Sequence, residues 1–184
     1  VICEKPLVPY PSDIDRLDLL EKETGHKIWN ILQLRYHSAI LKMRDKVRAA
    51  PADHKFQVEL TYITSRGRWY MNSWKGDVNK SYGIETNIGI HFYDMLHFLF
   101  GDLRIAERYY ADSQRASGYL EYSRANVNWF LSINRDDIAL VSDTDKSTYR
   151  SITVDGEEIE FSEGFTDLHT LSYEHILRGD GFGL

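Results

Sequence analysis

The stretch Phe-Gln-Val-Glu-Leu-Thr-Tyr-Ile-Thr, residues 56–64, is the clearest strand pattern in this chain. Phe56, Val58, Leu60 and Tyr62 alternate with other residues, a period of two that is typical of a strand with one face on a core. Later stretches are also predicted as strands, with short turns such as Asp155-Gly156 between them: residues 105–111, 117–122, 126–133, 149–154 and 158–161. Such a succession predicts a mainly antiparallel sheet.

Helices are predicted mostly before the sheet. Four stretches are predicted as helices, each followed by a glycine or proline: 12–24 before Gly25, 37–50 before Pro51, 86–100 before Gly101 and 166–178 before Gly179. Ser12 and Asp15 resemble a capping box at the start of the first helix. Residues 1–3 and 28–34 are predicted as additional strands. Helices early and strands late favour an α+β fold, an open sheet with helices on one face.

The second face of such a sheet needs a cover. Its strands are rich in aromatic residues, so a homo-oligomer, a dimer or tetramer formed through this face, is one prediction. The alternative is that the aromatic side chains face the chain's own core.

Length and composition predict a globular protein. The 184 residues, of which 42% are hydrophobic, can bury roughly 70% of the unfolded surface. No run approaches the roughly 20 apolar residues of a membrane span, and no secretory signal opens the chain. The single cysteine, Cys3, cannot form an intramolecular disulfide, and no zinc or other metal site is expected. These observations favour a cytoplasmic protein without membrane partners.

The charge distribution is uneven. The chain has a formal net charge of -6, which argues against nucleic acid as a partner. Residues 66–80 contain four basic residues and one acidic residue, a local net charge of +3. The basic residues are Arg66, Arg68, Lys75 and Lys80. A cationic island in an acidic chain suits a small anionic ligand, although loop cations are often only solvated.

A polar stripe marks the helix predicted at residues 86–100. Asn87, His91 and Asp94 are spaced i, i+4 and i+7, so they line one side of it. Considered by itself, a histidine on such a helix is more often structural than functional, and Lys5 is an ordinary solvated lysine.

Two segments together change that interpretation. Residues 1–7 read Val-Ile-Cys-Glu-Lys-Pro-Leu, and residues 83–96 read Gly-Ile-Glu-Thr-Asn-Ile-Gly-Ile-His-Phe-Tyr-Asp-Met-Leu. This pair resembles the Gfo/Idh/MocA family of NAD(P)-dependent sugar oxidoreductases over essentially the whole chain. The resemblance implies that residues 1–7 end a nucleotide-binding domain and that residues 8–184 form the catalytic, substrate-binding and oligomerisation domain, with its C-terminal end truncated.

The resemblance also implies a missing domain. A Rossmann domain of roughly a hundred residues is expected upstream. No Gly-x-Gly-x-x-Gly motif occurs in the chain, so the fragment alone is expected to be inactive with NAD. Glu4, Lys5 and Pro6 would lie against the cofactor, which is NAD, with NADP as the alternative.

Further segments narrow the resemblance to a bacterial subgroup that oxidises the 3-hydroxyl of UDP-N-acetylglucosaminuronic acid during the synthesis of surface polysaccharides such as O-antigen. These segments are residues 33–37, Gln-Leu-Arg-Tyr-His, and the two loop stretches 67–70 and 73–77. Their substrate-binding candidates are Arg35, Tyr36, Arg68, Tyr70, Ser73, Lys75 and Lys80. Trp69, Tyr70 and Trp74 either stack on the ligand or pin the loop.

The roles implied by the resemblance are few. His91 would take the hydroxyl proton, Lys5 would stabilise the developing alkoxide, and Asn87 would orient the sugar. Most of the family has aspartate where this chain has Asn87, and an asparagine cannot act as a base. Two alternatives stay open: a family member acting on another sugar or polyol such as inositol, and a non-catalytic module for sugar binding or oligomerisation.

Overall fold

The computed structural model describes residues 1–8, 10–141, 147–159 and 165–184. A six-stranded sheet carries helices on one face, and a two-stranded sheet lies beside it. The strands are β1 Ile2–Cys3, β2 Trp29–Asn30, β3 Phe56–Thr64, β4 Leu103–Ala111, β5 Arg115–Tyr122, β6 Ala125–Ser132, β7 Thr148–Val154 and β8 Glu157–Glu158. The α-helices are α1 Ser12–Thr24, α2 Ser38–Ala49, α3 Arg68–Asn72, α4 Val78–Ser81, α5 Ile90–Phe100 and α6 Leu168–Arg178.

The larger sheet is mixed but mainly antiparallel. Its strand order is β4-β5-β6-β3-β7-β8, and only β3 and β6 run parallel, with Phe56 opposite Ala125. The predicted fold class is therefore confirmed. The strand predicted at residues 158–161 coincides with β8 at residue 158, while residues 160 and 161 lie outside the described part of the chain.

The core lies between this sheet and the helices α2 and α5. Phe56, Val58 and Leu60 of β3 are buried there at alternate positions, as their spacing predicts. Full burial of such a side chain contributes about 1.5–3 kcal/mol. Tyr62 continues the same side of β3 but is only partly buried, because a cavity opens at this end of the sheet.

The opposite face of the sheet is covered only in part. A 3₁₀ helix, Arg135–Leu140, lies at the end of β3, where Ile63 and Ile138 are buried. The edge strand β4 is exposed along its whole length. The predicted oligomer through this face stays a prediction.

Residues 1–30 form a separate β-α-β unit. β1 pairs parallel with β2, and α1 connects them without a buried residue of its own. Leu19 and Leu20 of α1 are 56% and 44% exposed. A parallel pair with a helical crossover is the building block of α/β domains, so this unit presents an apolar surface that suits further α/β structure.

Several local predictions are corrected. Pro11, not Ser12, occupies the N-cap of α1, and no side chain caps this end. The strand predicted at 28–34 is limited to Trp29–Asn30, and a 3₁₀ turn follows at Gln33–Tyr36. The stretch 66–80, read as a loop, contains the short helices α3 and α4.

The helix expected at residues 86–100 is confirmed, with one departure. Its first turn, Glu85–Gly89, is a π-helix, and the α-helix α5 begins at Ile90. Single π-helical turns are rare and occur often at functional sites. The other predicted helix ends agree with the structure: Gly25 has a positive φ of 69° as the cap of α1, and α2 ends at Ala49.

Candidate functional site

A cavity of about 260 Å³ opens where β3 ends, between the sheet and the N-terminal part of α5. Segments far apart in the sequence contribute to its wall: the turn after β1, the 3₁₀ turn at residues 33–36, the segment 66–75, the π-helical turn and β7. The lining residues are Lys5, Gln33, Leu34, Tyr62, Arg66, Trp69, Tyr70, Lys75, Asn87, Ile88, His91, Phe92, Arg150 and Phe165.

The three predicted catalytic residues meet in this cavity. The Lys5 ammonium donates a hydrogen bond to the backbone carbonyl of Asn87. The Asn87 side chain donates to the hydroxyl of Tyr70 at 2.8 Å. Lys5 and Tyr70 are thereby tied to the same π-helical turn. Tyr70 is buried, so its hydroxyl has a fixed position for Asn87.

His91 stands one turn further along the helix. Burial lowers its pKa from 6.5 to about 4, and the positive charges of Lys5 and His169 act in the same direction. The imidazole is therefore neutral at physiological pH and has a free electron pair for a proton. Burial also lowers the pKa of Lys5, helped by Lys75 and opposed by Glu4.

The wall of the cavity is strongly cationic. Lys5, Arg66, Lys75 and Arg150 line it, and no carboxylate is among its described lining residues. Arg150 packs its guanidinium over the rings of Phe165 and Tyr62, 4.7 and 5.5 Å from their centres. Aromatic packing fixes the direction of the guanidinium and leaves its N–H groups available for an anion.

Gln33 adds a neutral polar group to the same wall. Its side-chain oxygen is buried and has no hydrogen-bond partner within the described residues. A buried acceptor without a partner costs free energy, so a donor on a ligand would be well placed there.

Two predicted substrate-binding residues lie elsewhere. Arg35 forms an ion pair with Asp94, with N–O distances of 2.5 to 3.2 Å, and its guanidinium stacks over Phe182. Tyr36 stacks on His175 with the ring centres 4.7 Å apart. Neither lines the cavity, so the structure gives both a packing role between α5, the 3₁₀ turn and α6.

The basic segment is divided between the cavity and solvent. Lys75 and Tyr70 line the cavity, and Ser73 fixes the turn beneath them by donating to the Tyr70 carbonyl at 2.8 Å. Arg68 is exposed, and Lys80 pairs with Asp77 at 3.4 Å. Trp69 and Trp74 are both largely exposed; Trp69 lines the cavity, and Trp74 lies beside the Lys75 ammonium.

Glu4 and Pro6 are the chain neighbours of Lys5, and neither is among the described residues that line the cavity. Glu4 lies 3.8 Å from His169 of α6, and the Lys5–Pro6 peptide bond is cis. Their predicted contact with a cofactor stays a prediction.

Arg150 and Gln33 are the functional candidates that sequence reasoning missed. Arg150 belongs to β7, at a position opposite Tyr62 of β3. The alternation of β7 could have placed Arg150 on the same side as Ile152 and Val154, the core side, where an arginine is unusual.

Within residues 1–8, 10–141, 147–159 and 165–184 no cluster of histidine, cysteine or acidic residues could hold a metal ion. The same ranges contain no helix long and apolar enough to span a membrane.

Comparison with protein families gives this arrangement a context. Residues 54–142 match the family model described as the oxidoreductase family, C-terminal alpha/beta domain. This match and the mixed sheet with helices on one face assign the domain to the class of C-terminal α/β domains of the oxidoreductase family. By that match and the solved structures below, the chain belongs to the Gfo/Idh/MocA family.

Solved structures agree with this assignment. The WlbA (WbpB) dehydrogenase from Thermus thermophilus, in complex with NAD and UDP-GlcNAcA, is 46% identical with a TM-score of 0.92. Its complex with NAD and alpha-ketoglutarate gives 48% and 0.93. WlbA from Bordetella pertussis, in complex with NADH and UDP-GlcNAcA, shares the fold at 20% identity and a TM-score of 0.77.

The matches extend over nearly all of this chain but only part of the relatives. The two Thermus thermophilus structures are matched over 99% of this chain, which corresponds to 58% and 59% of their own length.

Proposed function

We propose that this chain is the substrate-binding part of an NAD-dependent dehydrogenase that oxidises the 3-hydroxyl of UDP-N-acetylglucosaminuronic acid to the 3-keto sugar. The observation that carries the proposal is the composition of the cavity wall. His91 lies there with four cationic residues, one of which is Lys5, and none of the described lining residues is a carboxylate. A neutral sugar would not require this charge. An anionic sugar would be attracted by it.

The residues suit the oxidation of a secondary alcohol. Such a reaction moves a hydride from carbon and a proton from the hydroxyl group. His91 is neutral because its pKa is about 4, so it can accept the proton. Lys5 is a cation beside it and stabilises the alkoxide that develops. Asn87, held by Tyr70, orients the hydroxyl group by hydrogen bonding.

We assign NAD to the side of the cavity on which Lys5 lies. The β-α-β unit of residues 1–30 exposes apolar residues such as Leu19 and Leu20, which suit an adjoining α/β domain. Glu4, Lys5 and Pro6 follow β1 and would lie along the cofactor. When bound, NAD supplies the acceptor for the hydride. NAD also appears in the Thermus thermophilus relatives, and NADP remains the alternative cofactor.

The anionic part of the substrate is assigned to Arg66, Arg150 and Lys75. Guanidinium groups bind a carboxylate through two parallel hydrogen bonds, and an ammonium group meets a diphosphate as a point charge. The buried oxygen of Gln33 would accept from a sugar hydroxyl or the N-acetyl amide.

The cellular setting forms part of the proposal. We place the enzyme in the cytoplasm, in the synthesis of a surface polysaccharide such as O-antigen, as a homo-oligomer formed through the open face of the sheet. The exposure of β4 along its whole length supports the packing of another subunit on that side.

The test uses the chain together with its nucleotide-binding domain. Reduction of NAD is followed with UDP-N-acetylglucosaminuronate and with UDP-N-acetylglucosamine, which lacks the carboxylate. Arg150→Met should lower kcat/KM for the uronate about ten- to a hundredfold and leave the uncharged sugar nearly unchanged, because one charge-assisted contact contributes about 1.5–3 kcal/mol. Lys80→Met is the matched control, since Lys80 is exposed and paired with Asp77.

The outcomes separate the open alternatives. Equal kcat/KM for both nucleotide sugars would refute the uronate assignment, and a preference for a free polyol would favour an inositol-type dehydrogenase. If His91→Asn leaves turnover near the wild-type value, His91 is not the base. Binding without any turnover would favour the non-catalytic sugar-binding module.

A further inference from the structure

The proton that His91 accepts has to leave the cavity after each turnover. In the proposed oxidation the hydroxyl O–H bond and the neighbouring C–H bond of the sugar break, the hydride reduces NAD, and a carbonyl group forms while the proton passes to the imidazole. Because burial lowers the pKa of His91 from 6.5 to about 4, the imidazolium that forms gives its proton up readily. Turnover therefore requires a second group that accepts this proton.

The described wall of the cavity holds no acceptor for this proton apart from His91 itself. Four of its residues already carry positive charges, and none of the described lining residues is a carboxylate. The other polar groups on the wall are the amides, phenols and indole of Gln33, Asn87, Tyr62, Tyr70 and Trp69. Such groups do not take up protons near neutral pH. Within the described ranges, no side chain forms a hydrogen bond with the His91 ring either.

His169 of α6 is a proton acceptor within electrostatic reach of His91. The positive charge of His169 acts on the pKa of His91 in the same direction as burial and Lys5, so the two imidazoles influence each other between α6 and α5. His169 is the second residue of α6, and Phe165, four residues before it, lines the cavity. Leu168, next to His169, is buried in the core. The first turn of α6 is thereby fixed beside the cavity.

The imidazole of His169 is also open to solvent. Its side chain is 53% exposed, and its Nε2 lies 3.8 Å from Oε1 of Glu4, whose side chain is 60% exposed. Imidazole takes up and releases protons near neutral pH, and a carboxylate at this distance attracts the protonated form. Glu4 follows β1 and is the chain neighbour of Lys5. His169 thus combines electrostatic reach to the buried base with access to water.

We infer that His169 is a proton relay: it receives the proton of His91 through water in the cavity and passes it to solvent, while Glu4 holds the charged imidazole in place. The inference rests on the proposed function, because it assumes that His91 is the base. His169 acts through His91, without contact to the reacting atoms. This role gives α6 a part in turnover that the sequence segments around Lys5 and His91 do not indicate.

The test measures turnover of the chain together with its nucleotide-binding domain. Reduction of NAD by UDP-N-acetylglucosaminuronate is followed in dilute buffer, with and without added imidazole. His169→Ala should lower kcat about ten- to a hundredfold, because water alone accepts the proton more slowly than a positioned group, and should change KM less than about threefold. Free imidazole should restore kcat in a saturable way, since it can occupy the space that the deleted side chain leaves. The solvent isotope effect on kcat should rise in the variant, because proton release then limits the rate.

Two more variants separate a proton relay from a packing role. His169→Gln retains a polar side chain but cannot take up a proton, so its kcat should fall as in His169→Ala. A purely structural role of His169 would be largely preserved by glutamine. His54→Ala is the matched control, because His54 is another exposed histidine beside a carboxylate, 2.8 Å from Asp155, and does not line the cavity. Its kcat should equal that of the wild type, without a response to imidazole.

The relay and the proposed function fail in different ways. Wild-type kcat for His169→Ala in dilute buffer, or a loss that imidazole does not restore, would overturn the relay and leave the proposed function intact. A loss that imidazole restores, observed with another sugar as the better substrate, would support the relay and overturn the choice of sugar. An enzyme that oxidises no sugar, or one in which His91→Asn turns over like the wild type, would overturn the base and with it the relay.

Discussion

The ion pair between Arg35 and Asp94 gives the sharpest test of how the structure divides packing residues from ligand-binding residues. Arg35 is one of the arginines that the sequence suggested for the substrate, yet it pairs with Asp94 through both its Nε and its terminal nitrogen. Its side chain is 17% exposed and that of Asp94 is 12% exposed. Asp94→Ala would therefore leave a largely buried guanidinium without its anion.

The expected cost follows from that burial. Breaking a fully buried pair costs about 3–5 kcal/mol, and the residual exposure reduces this to about 2–4 kcal/mol. Phe182 and Phe98 hold the guanidinium from its faces, 4.4 and 5.3 Å from the ring centres, so it cannot swing freely into water. For a chain of this size, about 3 kcal/mol lowers the melting temperature by roughly 6–12 °C.

Urea unfolding of wild type, Asp94→Ala and the double variant Arg35→Met/Asp94→Ala measures this effect. The double variant should recover part of the loss, because it removes the unpaired charge. Ligand affinity measured on folded protein should change less than threefold in Arg35→Met. Arg150→Met should behave in the opposite way, with unfolding like that of the wild type and weaker ligand binding. A destabilisation below about 0.5 kcal/mol for Asp94→Ala, or a tenfold loss of affinity for Arg35→Met, would refute the reasoning.

Three further predictions follow from local geometry. Gly118→Ala should destabilise the protein by roughly 1–3 kcal/mol or more in thermal unfolding, because a Cβ there would lie 2.2 Å from the Glu107 carbonyl oxygen and 2.8 Å from the Trp129 ring; an unchanged melting temperature would contradict this contact. His91 has a folded-state pKa of about 4 against an ordinary 6.5, so the folded state binds fewer protons between these values, and stability should fall by up to roughly 3 kcal/mol as pH drops through this window. His91→Gln should flatten that part of the pH profile of urea midpoints, and a profile identical to wild type would show that the imidazole is not held neutral. Asn87→Ala should reduce kcat in the enzyme with its nucleotide-binding domain less than His91→Asn does, since it orients without transferring a proton; equal losses would assign Asn87 a larger role.

Part of the cavity lining was predictable where short motifs mark the residues. Lys5, Asn87 and His91 were identified from two short segments, and the structure brings all three to one cavity. Arg150 was not identified, although the alternation of β7 places it on the core side with Ile152 and Val154, because only the pairing of β7 with β3 shows that it meets Tyr62 at the cavity. Arg35 was assigned to the substrate because its sequence context matched, while its partner Asp94 lies 59 residues away.

Local sequence patterns were sufficient to predict most helices and strands and the α+β arrangement. Period-two alternation marked β3, because alternate side chains of a strand face the core and the solvent. Glycine and proline marked the ends of α1, α2 and α5, because they act through local backbone sterics.

Which strands are neighbours and which side chains share a cavity depends on the folded arrangement of the whole domain. The parallel pairing of β3 with β6 places the end of β3 beside α5, and β7, added on the other side of β3, brings Arg150 opposite Tyr62. Contacts of this kind join residues that are remote along the chain. They are set by the packing of whole elements, so no local pattern in the sequence specifies them.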